Sequence, residues 1–169
     1  MTLEQVYQEH HAFVWRSVQR LGIPSAHADD AVHDVFLVVA RRLAEFRSDS
    51  QLRTWLFAIA LRVAQRYRRT QARQHRKTEA LRGATEARVE PSGEERRAAA
   101  DLLHRLLSTL SEDRRAVFIL IELEGLTAPE VAEAFRLKLP TVYSKLRAAR
   151  QDLEQAVRRE EARAEREVG

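Results

Sequence analysis

Residues 127–150 read TAPEVAEAFRLKLPTVYSKLRAAR, and the reading of this stretch decides the fold class. Thr127 followed three residues later by Glu130 is a capping-box pattern, and Pro129 falls in the first turn, where a missing N–H costs little. A short helix is therefore expected from here to about Phe135. A second begins at Leu139 or Pro140, because Val142, Leu146, Ala149 and Leu153 recur at i, i+4, i+7, i+11 and make one apolar face. The turn between them, FRLK, has no glycine, so Arg136 must take the backbone conformation that glycine often serves there. The residues left facing outward are Thr141, Tyr143, Ser144, Lys145, Arg147 and Arg150. Residues 136–151 contain five cations and no acid. A helix-turn-helix sets the N-terminal part of its second helix into the DNA major groove, where Lys and Arg meet phosphates or guanine edges and Ser and Thr make shorter contacts. The competing reading is an ordinary helical hairpin with a solvated basic face.

Working outward, five Gly and four Pro in 169 residues, with few alternating β-branched runs, point to an all-α chain. A first helix is expected over residues 3–21, with Val6, Phe13, Val14, Val18 and Leu21 on its apolar face. GIPSAH ends it, and Ser25 is placed to cap a second helix over residues 26–46, with Asp29 and Asp30 near its positive end. That helix carries Ala31, Val32, Val35, Phe36, Val39 and Leu43. A third runs from about Gln51 through LRVAQRYRRTQARQHRK, residues 61–77. Residues 78–95 lose apolar periodicity and gain Gly, Pro and Ser, which marks a domain boundary. Ser111 is placed to cap a helix over SEDRRAVFILIELEGL. The expected organisation is two small helical domains, residues 1–77 and 97–169, joined by a flexible linker over 78–96.

Charge is unevenly distributed. Residues 1–46 carry 4 Lys/Arg and 6 Asp/Glu, residues 47–88 carry 11 and 3, and residues 89–169 carry 14 and 16, so the net +4 comes from the middle segment. Within it, Arg62, Arg66, Arg69 and Arg73 recur at i, i+4, i+7, i+11, with Arg68 and Arg76 beside them, while Ile59, Val63, Ala64 and Tyr67 form the inward stripe. Like charges at this spacing repel by a few tenths of a kcal/mol per pair. A phosphate backbone reverses that sign, since each neutralised phosphate also releases counterions. Nucleic acid is the leading partner class, with a membrane surface behind it.

Several classes are set aside. The chain has no cysteine, so neither disulfides nor thiolate zinc sites form. No stretch approaches the roughly 20 apolar residues of a membrane span, and the N-terminus lacks a signal-peptide pattern, so a cytoplasmic location without membrane insertion is expected. HADDAVHD gathers His27, Asp30, His33 and Asp34, half of a carboxylate-bridged metal site, but no second Asp/Glu-x-x-His pair accompanies it. Trp15 and Trp55 are candidates for stacking on unpaired bases, with Trp55 in RTWLFAIA better read as core. No phosphate loop or nucleophile set emerges; no enzyme activity, metal or cofactor is expected.

The two halves together resemble the small extracytoplasmic-function sigma factors of bacterial RNA polymerase. ADDAVHDVFLVVARRL followed by FRSDSQLRTWLFAIALRVAQRYRR is similar to the family's polymerase-binding and promoter-reading helices. LLSTLSEDRRAVFILIELEGLTAPEVAEAFRLKLPTVYSKLRAAR is similar to its second conserved domain. The resemblance implies a subunit that binds core polymerase, recognises −10 and −35 promoter elements and assists opening. It makes Asp30, His33, Asp34, Leu37 and Arg41 contacts to the clamp of the largest subunit, with the flap of the second-largest as a further contact. It places Arg62, Arg66, Arg69 and Arg73 on the −10 element, and residues 46–52 beside a flipped base. Lys138, Pro140, Thr141, Tyr143, Ser144, Lys145, Arg147 and Ala148 fall on the −35 element. It also implies an anti-sigma partner. The chain departs from the family in carrying His33 and Asp34 for Gln and Glu, and Arg62 and Arg66 for Asn and Asp. The alternatives are an autonomous helix-turn-helix repressor, which leaves the first domain without a role, and a helical metalloprotein built on the His/Asp cluster.

Overall fold

A computed structural model describes residues 1–46, 51–78 and 94–168, and every regular element among them is helical. The chain divides into two compact units, Met1–Glu95 and Arg96–Gly169. Most of the linker expected over 78–96 and most of the loop expected beside a flipped base lie outside the described residues, at 79–93 and 47–50.

The first unit packs three helices against one another: α1 (Leu3–Arg20), α2 (Ser25–Arg42) and α3 (Leu52–Thr78). A capping box opens α1, the Thr2 hydroxyl accepting from the Gln5 N–H while the Gln5 amide oxygen accepts from the Thr2 N–H at 2.9 Å. Val6, Phe13, Val14 and Val18 are buried along it, and Leu21 and Ile23 immediately after it. Each such apolar side chain contributes about 1.5–3 kcal/mol by leaving water. The start of α2 differs from expectation. Pro24 takes the N-cap position and Ser25 is the first helical residue, its Oγ accepting from Gln19 Nε2 at 2.8 Å. The first turn holds no acid; Asp29 falls a turn later and accepts from Trp15 Nε1 at 3.2 Å, joining α2 to α1. The same helix also ends sooner than its apolar pattern suggests, giving way at Leu43 to a 3₁₀ turn, Leu43–Glu45. In α3 the buried face is Thr54, Leu56, Phe57, Ile59, Ala60 and Ala64, whereas Val63 and Tyr67 are only half-buried.

The second unit comprises α4 (Glu94–Ser108), α5 (Glu112–Phe118), α6 (Ala128–Phe135) and α7 (Leu139–Val168). Ser111 occupies the N-cap position of α5 without a side-chain bond; its carbonyl accepts from the Arg115 N–H at 2.8 Å. Arg115 is buried, and its Nη2 donates to the Ser108 and Leu110 carbonyls at 3.2 Å each. The Ser108 carbonyl is one that the end of α4 leaves without a helical partner, and Leu110 lies in the turn just beyond it. Beyond Phe118 the helix widens into a π turn, Ile119–Leu123, closed by Glu124 N–H donating to the Ile119 carbonyl at 3.0 Å. Val117, Ile119, Leu120, Leu126, Val131, Val142, Leu146 and Ala149 form the core that holds α5, α6 and α7 together.

Candidate nucleic-acid interface

The helix-turn-helix is built as its sequence prescribes. Thr127 caps α6, the Glu130 carboxylate accepting from the Thr127 N–H at 2.7 Å while the Thr127 hydroxyl accepts from the Glu130 N–H. Arg136 takes the left-handed conformation, φ 53° and ψ 40°. The Leu137 N–H donates to the Ala132 carbonyl at 2.8 Å and the Arg136 N–H to the Glu133 carbonyl at 3.1 Å. That pair of bonds is a Schellman motif, usually formed on glycine. It turns the chain directly into α7 at Leu139, whose Val142, Leu146 and Ala149 are buried as the spacing requires, with Leu153 half-buried and Ala156 buried one turn on.

The outward side chains of α7 sort into two groups. Pro140, Thr141, Ser144, Lys145 and Ala148 line one concave patch together with Arg114 of α5. Lys138, Tyr143 and Arg147 are exposed beside that lining, Tyr143 by 53%. Two of the five cations in residues 136–151 are engaged by acids: Lys145 Nζ lies 2.9 Å from Asp113 Oδ2, and Arg150 Nε donates to Glu122 Oε1 at 2.8 Å, with Nη2 on the same oxygen. Arg114 Nη1 donates to Asp152 Oδ2 at 2.6 Å. Arg114 and Asp113 carry no local sequence signal, because they reach the patch only through the packing of α5 on α7.

In the first unit, Asp30, His33, Leu37 and Arg41 form an exposed stripe along α2, with Asp34 half-buried next to it. Leu37, at the middle of α2, is 43% exposed. On α3, Arg62, Arg66, Arg69 and Arg73 are all exposed along one face, and Arg76 continues it. Arg68, expected to flank that row, turns the other way: its Nη1 donates to the Leu21 carbonyl at 2.7 Å, closing the end of α1. Arg66 Nη2 lies 3.9 Å from Asp34 Oδ2, so the two stripes are adjacent surfaces of one unit. Arg53 sits over the Phe13 ring at 4.7 Å. Burial, reinforced by the Arg53 charge and opposed by Glu9, lowers the pKa of His10.

The other singled-out side chains have structural partners. The His27 ring is 5.5 Å from that of Tyr67, and among the described residues no group of three or more His, Cys, Asp and Glu is gathered as a metal site. Trp55 is half-buried rather than core, its ring 5.2 Å from Phe46.

Comparison with known proteins follows the same division. Residues 6–74 match the family model "Sigma-70 region 2" and residues 100–153 match "Sigma-70, region 4". The chain is 30% identical over 158 residues to the RNA polymerase sigma factor NccH of Alcaligenes xylosoxydans xylosoxydans, covering 88% of this chain and 83% of that protein. It is 29% identical over 147 residues to the ECF RNA polymerase sigma-E factor of Escherichia coli K12, covering 80% and 76%. Its fold is similar to that of CnrH, solved in complex with the cytosolic domain of CnrY, with TM-score 0.67, 24% identity and coverage of 92% and 86%. It is also similar to RpoE of Bartonella quintana, solved with the anti-sigma factor NepR, with TM-score 0.72, 21% identity and coverage of 92% and 96%. The chain therefore belongs to the extracytoplasmic-function sigma factors of the sigma-70 family. Its function is promoter-specific transcription initiation in association with RNA polymerase, which displaces the autonomous repressor. Among the described residues no helix is long and apolar enough to cross a membrane.

Proposed function

We propose that this sigma factor divides recognition among three surfaces. The α2 stripe of Asp30, His33, Leu37 and Arg41, with Asp34 beside it, docks on the clamp of the largest polymerase subunit. The arginine row of α3 grips the −10 element, and the concave face of α7 reads the −35 element while the second unit meets the flap of the second-largest subunit. The observation that carries this reading is the patch itself: five of the eight side chains expected at the −35 element line one depression at the N-terminal part of the second helix of a helix-turn-helix. That is the part of such a motif that enters the major groove.

Physical chemistry supports the rest. Arg62, Arg66, Arg69 and Arg73 gain nothing from one another in an isolated helix and gain counterion release on a phosphate backbone. An exposed leucine flanked by charges suits a protein partner, since burying it adds affinity while the charges fix register. Two weak DNA sites on one chain gain affinity through effective concentration. The protein acts in the cytoplasm without chemistry of its own, by directing the polymerase. An anti-sigma factor covering these surfaces is its expected partner, as NepR is for RpoE of Bartonella quintana.

The test is transcription from a promoter library by core polymerase with and without the protein. Selective initiation from a subset sharing −10 and −35 sequences, with co-elution of protein and core, is the expected result. If the protein neither co-elutes with core nor changes which promoters fire, the reading is lost.

A further inference from the structure

We infer that Asp113 is a positioning residue for Lys145, fixing where its ammonium stands in the −35 patch and exchanging some affinity for sequence selectivity; this rests on the assignment of that patch to the −35 element. Lysine is a compact charge on a stem of four rotatable bonds, so by itself it finds the nearest phosphate rather than a particular base edge. Here its freedom is restricted. The Lys145 side chain is 26% exposed, packed into the depression, and its Nζ is bonded at 2.9 Å to the carboxylate of Asp113, which is itself 74% exposed. One of the three ammonium protons is thereby committed, which leaves two for whatever enters the patch.

A carboxylate standing in solvent at the edge of a DNA-binding patch repels phosphate, so its presence there opposes affinity. As an isolated ion pair at the rim it adds little to the stability of the fold. Its neighbour shows the same arrangement in the opposite sense. Arg114, adjacent on α5, lines the depression and is held by Asp152 of α7 at 2.6 Å, whereas Lys145, on α7, is held by Asp113 of α5. Two cations that line the patch are thus each tethered across the same helix pair by an acid outside its lining. Such a carboxylate discriminates as well as positions: a sequence that presents a base-edge acceptor to the tethered ammonium is favoured, while one that offers only phosphate meets the repulsion.

The experiment uses the full-length protein bound to core polymerase and a promoter selected from the library, with binding measured across a salt series and against single-base −35 variants. Asp113→Asn keeps the shape and removes the charge. It is expected to bind more tightly at low salt, to steepen the slope of log affinity against log salt by about 0.9, one additional phosphate, and to lose about threefold to tenfold of its discrimination between −35 variants. In a Lys145→Ala background the same substitution is expected to leave discrimination unchanged. If Lys145→Ala weakens −35 binding but Asp113→Asn matches the wild type in slope and discrimination, the positioning role is overturned and the patch assignment stands. If Asp113→Asn changes discrimination equally with and without Lys145, its charge selects sequence directly and the positioning role is again overturned. If Lys145→Ala leaves promoter binding unchanged, the patch assignment itself falls, and the inference with it.

Discussion

At the scale of the residue, three arginines close in sequence terms to expected DNA contacts do unlike work. Arg68 and Arg69 are adjacent, yet Arg69 faces solvent while Arg68 donates to the Leu21 carbonyl at 2.7 Å. Arg68→Ala is expected to destabilise the first unit by about 1.5–3 kcal/mol, the worth of a charge-assisted hydrogen bond, and Arg69→Ala by less than about 0.5 kcal/mol; chemical denaturation of each variant checks this. Arg136, at φ 53°, bears a left-handed backbone that costs a non-glycine residue about 1–2 kcal/mol. Arg136→Gly is expected to raise the stability of the second unit by up to about 1 kcal/mol, the relief being partly offset by glycine's greater unfolded entropy, and thermal melting reads the difference. His10 supplies a pH dependence. Its folded pKa is lowered by burial, so the unfolded chain binds the proton more readily. The stability it contributes is full above the unfolded value of about 6.5 and is lost as pH falls through the folded value. Wild type should lose more melting temperature than His10→Gln between pH 8 and pH 5, and equal losses would remove this assignment.

At the scale of the element, local chemistry and global packing part company in instructive places. The capping box on α6 was legible because Thr127 and Glu130 satisfy each other within one turn; Thr127→Ala is expected to cost about 1 kcal/mol in denaturant melts. The cap of α2 departs from its local pattern: Ser25 has the right chemistry, but Pro24 takes the N-cap position and Gln19, at the end of α1, engages the Ser25 hydroxyl. The same helix stops short of its apolar period, which Leu43 continues, because the chain tightens there into a 3₁₀ turn. In α3 the arginine row was plain from spacing, but Leu56, Phe57 and Ala60, the most deeply buried part, lie in an apolar run that hides which face is inward. On the −10 role proposed for the row, replacing Arg62 and Arg66 together with Ala should flatten the salt dependence of promoter opening by roughly 0.9 per lost phosphate contact, and unchanged slopes would show that α3 does not meet the backbone.

At the scale of the whole molecule, the division into two compact units makes the proposed recognition roles separable by mutation. Leu37→Asp on α2 should reduce co-elution with core polymerase by about tenfold or more while leaving the second unit folded, and Lys145→Glu should abolish −35 preference while core binding persists; loss of core binding from the second change would show that the surfaces have been exchanged. The sequence by itself determined what depends on neighbours along the chain. Helix periodicity, the capping box, the left-handed Arg136, the basic segment and the two-part sigma pattern are all set within a few turns, where geometry is fixed by φ, ψ and a 3.6-residue repeat. Tertiary structure alone decided which cations face a partner and which are held. Arg68 meets a carbonyl 47 residues away, Lys145 an acid 32 residues away and Arg150 an acid 28 residues away. Such pairings are made by the packing of one helix on another, and charge at a position says nothing of which opposite charge the fold will bring beside it.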